Sequence, residues 1–127
     1  MVGSEEKGGS MKKFKESIDA LEHALTFLDK AKKDNFYTSG IAKKFEICFE
    51  YAWKFFKQKA NEEGLEAFSP KETIKIAGRL GLINNVEKWL DFLEDRNIAV
   101  HDYLGMPEDK YLKTIQEFFR EVKKIKL

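Results

Sequence analysis

With 127 residues, 43% hydrophobic and 35% charged, the chain has apolar material for one domain with a modest core. The 23 basic and 22 acidic residues nearly cancel, so no global field draws in nucleic acid, and any RNA contact has to come from a local patch. The single cysteine, Cys48, excludes an intramolecular disulfide and fits a reducing cytoplasm, and no apolar run nears the ~20 residues that span a bilayer.

Residues 1–10 are polar and glycine-rich and precede a second methionine at 11, so they read as a disordered leader or appended remnant. The single domain is then 11–127. The first helix is expected from Met11 to Lys33, where Phe14, Ile18, Leu21, Leu25 and Leu28 repeat at alternating four- and three-residue spacing. His23 falls off that stripe and reads as a solvent-side histidine.

The second helix is expected to start near Thr38 or Ser39 and to reach Asn61. Apolar residues from Ile41 to Phe56 cover most of its circumference, which places it at the centre of a bundle or between two subunits. Cys48 reads there as a small buried hydrophobe. Lys43, Glu46, Glu50, Lys54 and Lys57 form the narrow polar stripe. Glu46, Glu50 and Lys54 read either as an i, i+4 charge ladder or as the rim of a site on the fourth helix.

Gly64 ends the second helix. Ser69-Pro70-Lys71-Glu72 has the residues of a helix start, serine as cap, proline first and glutamate at the third position. The third helix is short, Pro70 to Leu80, stopped by Gly81, and Gly78 permits a close crossing. The fourth begins after Asn84 or Asn85. The fifth runs from about Pro107 to Leu127, and its terminal Lys123, Lys124 and Lys126 suit the helix dipole. With no strand pattern, the fold class is all-α: an antiparallel up-and-down helical bundle of four to five helices.

The fourth helix closes on Glu94-Asp95-Arg96-Asn97-Ile98-Ala99-Val100-His101-Asp102-Tyr103. Asn97 and His101 are four apart and share a face, which runs back through Leu93, Leu90 and Val86. Arg96 lies nearer the edge, in line with Trp89, Phe92 and Tyr103. A structural reading has His101 and Asn97 satisfying each other, with Arg96 paired to Glu94, Asp95 or Asp102. The other reading is a partly buried polar pocket with chemistry of its own.

Arg96, His101 and Tyr103, spaced Arg-x4-His-x-Tyr, resemble the motif of HEPN-domain proteins, small helical bundles that often act as ribonucleases. The stretch Lys44 to Lys54 resembles the second-helix signature of one HEPN branch, the nucleotidyltransferase substrate-binding protein family. Ser69 to Glu72, Gly81-Leu82-Ile83 and Trp89-Leu90 fall where that family has a proline-started helix, a glycine turn and a tryptophan helix. The resemblance covers roughly Phe14 to Phe119. One departure is Ala99-Val100 before His101, where the family often has a hydroxyl.

The resemblance implies a dimeric partner of a separately encoded minimal nucleotidyltransferase, in a toxin–antitoxin-like pair, with Tyr103 as acceptor of AMP. The alternative it implies is a metal-independent endoribonuclease toxin acting on RNA across a homodimer or larger assembly. His101 would then be base or acid, Arg96 the phosphate clamp and Asn97 the orienter, with Glu46, Glu50, Lys54 and Asp95 on the rim. The histidines and carboxylates lack the spacing of metal ligands, so no metal or cofactor is expected.

Overall fold

The computed structural model describes residues 2–101 and 105–127, with side chains for 11–100 and 105–127. The side chains of the leader expected over 1–10 lie outside the described residues. Six helices form among them: α1 (Val2–Leu25), α2 (Leu28–Ala31), α3 (Asn35–Glu62), α4 (Pro70–Arg79), α5 (Val86–His101) and α6 (Glu108–Val122). They make an all-helical bundle, and no helix among the described residues is long and apolar enough to cross a membrane.

The expected first helix is interrupted. Thr26 and Phe27 donate their backbone N–H groups to carbonyls three residues back, His23 and Ala24, and the Thr26 hydroxyl also donates to His23 O at 2.6 Å. These tight local bonds replace the i−4 ladder, and α2 restarts at Leu28. The turn lets Phe27 stack on Tyr37 at 5.7 Å, with Lys30 over both rings. His23 is exposed as expected, edge-on to Phe27.

Neither Thr38 nor Ser39 caps the next helix. Asp34, in extended conformation, accepts from Phe36 N at 3.0 Å, so α3 starts at Asn35 and Thr38 is buried inside it. At α4 the expectation holds: Ser69 Oγ accepts from Glu72 N, and Pro70 occupies the first turn. Asn85 Oδ1 accepts from Lys88 N at the start of α5. Gly64 and Gly81 both adopt positive φ, and the residue after each donates back to Ala60 O and Ala77 O respectively, closing α3 and α4 as Schellman turns.

The helix richest in apolar residues is the central one. α3 packs against α1, α2, α4 and α6, while α5 is held between α4 and α6. Phe14, Phe45, Phe49, Phe56, Trp89, Phe92 and Phe118 meet in one core, with ring centroids of neighbouring pairs 5.0–6.4 Å apart, mostly tilted or edge-on. The aromatic content is therefore largely absorbed within one subunit. Gly78 lies where α4 meets α5: a Cβ there would collide with the Val86 side chain. The α6 helix ends at Val122, five residues earlier than expected, and Ile125 still packs on the core from the following turn.

Candidate functional site

α5 presents two apolar lines. The deeper is Trp89, Phe92 and Ala99, and Arg96 continues it; the Val86, Leu90 and Leu93 line runs out at an exposed Asn97. The sequence placed Arg96 at the edge and Asn97 in the stripe. The structure reverses this, because the large rings of Trp89 and Phe92 face the core formed by α3 and α6 and set the rotation of the whole helix.

Arg96 is consequently carried in toward α3. Its side chain is 21% exposed, with Cζ 5.9 Å from the ring centroid of the fully buried Phe49. Nη2 donates to Glu50 Oε1 at 2.7 Å, a charge-assisted bond between two helices. Nη1 donates to Asn97 Oδ1 at 3.2 Å, and Nε is buried with no partner among the described residues. Among the described residues the acidic partner of Arg96 is thus Glu50, not Glu94 or Asp95; Asp102 lies outside them.

Glu50 is held from a second side. Its Oε2 accepts from Trp53 Nε1 at 3.2 Å and lies 3.7 Å from Lys54 Nζ. Glu50, Trp53 and Lys54 are spaced i, i+3, i+4 and so share one face of α3. Glu50 pairs with Lys54 along its helix and with Arg96 across the bundle. Glu46, half-buried one turn earlier, takes no part in the cluster. Trp53, which orients the carboxylate, and Phe49, beneath the guanidinium, did not stand out as site residues. The spacing from Glu50 to Trp53 was the available signal.

Asp95 turns the other way. Its Oδ2 accepts from Thr114 Oγ1 at 2.7 Å and its Oδ1 lies 3.6 Å from Lys110 Nζ, tying α5 to α6. It is a structural tether apart from the Arg96–Glu50 cluster. His101 closes α5, but its side chain, together with the whole of Tyr103, lies outside the described residues. Cys48 is buried against α1, and burial pushes its thiol up to about 12, with the Ser17 hydroxyl pulling weakly the other way.

An arginine clamped between helices, about one-fifth exposed to solvent and five residues before a histidine, is a group able to meet phosphate. Over residues 10–127 the chain matches the family model described as nucleotidyltransferase substrate binding protein like. The chain belongs to that family. This member of the nucleotidyltransferase substrate-binding family is 30% identical over 70 residues to a probable ribonuclease HepT of Haemophilus influenzae, a match covering 51% of this chain and 48% of that protein. The matched part thus spans about half the length of that relative. The fold is similar to that of a tri-AMPylated HEPN toxin of Shewanella oneidensis solved in complex with an MNT antitoxin, with a TM-score of 0.67 and 16% identity. That likeness covers 93% of this chain and 96% of the toxin, and it assigns the fold.

Proposed function

We propose that this protein is the substrate-binding partner of a separately encoded minimal nucleotidyltransferase, in a toxin–antitoxin-like pair within the cytoplasm, and that Tyr103 accepts AMP. The observation that carries the reading is Arg96: Glu50 and Phe49 fix its guanidinium on the helix that leads into the His101–Tyr103 segment. In the transfer the Tyr103 phenol oxygen attacks the α-phosphorus of ATP. A Tyr–O–P bond forms, the bond from the α-phosphorus to the bridging oxygen breaks, pyrophosphate leaves, and the phenol proton passes to a base. The product carries a phosphate that a nearby guanidinium neutralises. The tri-AMPylated state of the structural neighbour supports this choice of modification.

A second reading has its own support. The relative from Haemophilus influenzae is named a probable ribonuclease, and Arg96 and His101 retain the spacing the resemblance implies for RNA cleavage. Arg96 would steady the phosphorane and His101 move the proton, with a second copy of the chain supplying the missing acid or base. Ile47 and the half-buried Tyr51 and Trp53 lie on the same helix as Glu50 and offer that second copy apolar surface. The two readings combine if adenylation of Tyr103 silences the ribonuclease.

Mass spectrometry after incubation with the cognate nucleotidyltransferase, ATP and magnesium tests the first reading. One AMP mass on the Tyr103 peptide, lost in Tyr103→Phe, is the expected result; labelling unchanged in that variant defeats it. Incubation of the purified protein with RNA in EDTA, with light scattering on the same sample, tests the second.

A further inference from the structure

We infer that Glu50 is an internal competitor for phosphate at Arg96: an anion gains the guanidinium only by displacing this carboxylate onto Lys54. The inference rests on the reading of Arg96 as a phosphate-binding group. Glu50 holds Arg96 through one nitrogen, Nη2, at 2.7 Å. Nε, which shares the bidentate edge of the guanidinium with Nη2, is buried and makes no hydrogen bond among the described residues. A carboxylate bound through one nitrogen leaves half of that edge unused, whereas a phosphate taking both gains a second charge-assisted bond.

The same edge cannot hold both anions, because a phosphate arriving beside Glu50 meets a like charge. Glu50 has somewhere to go. Its other oxygen is already 3.7 Å from Lys54 Nζ and accepts from Trp53 Nε1, so the carboxylate swings about an anchored oxygen. Exposure fits exchange: the Glu50 side chain is 36% and that of Lys54 62% exposed, so neither is locked in the core. Glu50 thus raises the threshold for phosphate and selects ligands able to grip the guanidinium at two points.

The phosphate has two sources, an RNA backbone or an adenylate, and the probes separate them. A short single-stranded RNA and free AMP are titrated into the full-length protein, following backbone amide resonances for affinity and, where Arg96 is retained, its Nε–H resonance by NMR. The variants are Glu50→Gln and Glu50→Asp. The aspartate keeps the charge but is one methylene short of Arg96, so it separates the latch from a general field effect.

The expected result is affinity raised roughly threefold or more in both variants for at least one probe, the scale of an exposed ion pair. Arg96→Gln added to either variant should remove the gain. RNA alone responding identifies a backbone phosphate, and AMP alone an adenylate. Glu50→Asp binding as wild type, or a gain that survives Arg96→Gln, overturns the latch and leaves the proposed function standing. An Arg96 resonance unmoved by either probe in every protein that retains Arg96 overturns the latch and the phosphate-clamp role together. Adenylation of Tyr103, read by mass, stays a separate result.

Discussion

Arg96 on α5 and Glu50 on α3 stand 46 positions apart in the chain, yet Nη2 and Oε1 are 2.7 Å apart, with the guanidinium over Phe49. Both partners keep contact with solvent, so the pair contributes little to stability, about 0–1 kcal/mol. Arg96→Met keeps an apolar stem over Phe49 and should lower stability by less than about 1 kcal/mol in urea unfolding. Arg96→Ala also loses the stem packing and should cost about 1–2 kcal/mol. Any activity lost in the methionine variant is then chemical; loss of the fold in that variant would show the pair to be structural.

The crossing of α4 and α5 depends on the absence of a side chain at residue 78. Gly78→Ala brings a Cβ into the Val86 methyl group. It should destabilise by about 1–3 kcal/mol despite alanine's better helix propensity. Shortening Val86 to alanine opens the space, so the double variant should recover part of the loss. Equal Tm values for Gly78→Ala and the wild type would mean that α4 and α5 slide apart freely.

Asp95 and Thr114 make the matching tether between α5 and α6. The Asp95 side chain is 13% exposed and would lose its 2.7 Å donor in Thr114→Val. With Lys110 still 3.6 Å away the carboxylate keeps one partner, so the cost should be about 1–2 kcal/mol. The AMP transfer to Tyr103 proposed above should be unaffected at temperatures where the variant is folded. A fall in transfer rate with unchanged stability would return Asp95 to the functional site.

Cys48 should be inert in the folded protein. Burial takes its thiol from 9.0 up to about 12, so thiolate is scarce at neutral pH, and a water-soluble thiol reagent should label it only on unfolding. The linkage runs in a definite direction. Below about pH 9 the thiol is protonated in both states and its contribution to stability is fully present. Between 9.0 and about 12 the unfolded chain releases the proton first, so stability falls as pH rises through that window. Cys48→Ala should flatten the alkaline fall; the same slope in that variant would place its origin in other groups.

The sequence by itself determined the elements and their polarity. Ser69 with Glu72 started α4, Gly64 and Gly81 ended α3 and α4, and the apolar circumference of α3 put that helix at the centre. These are local effects: a cap, a positive-φ glycine and a hydrophobic period act within a few residues. The spacing of Arg96, His101 and Tyr103 was enough to suggest the family that the wider match supports. Tertiary structure alone decided how α5 is rotated. Periodicity left two apolar lines in competition, and burial of Trp89 and Phe92 against α3 and α6 settled it, turning Arg96 inward and Asn97 out. Among the described residues it alone also chose Glu50 over Glu94 or Asp95 as the arginine's partner, and gave Asp95 to Thr114. The physical reason is reach: an ion pair between helices depends on which faces the core brings together, and no spacing along one helix records that.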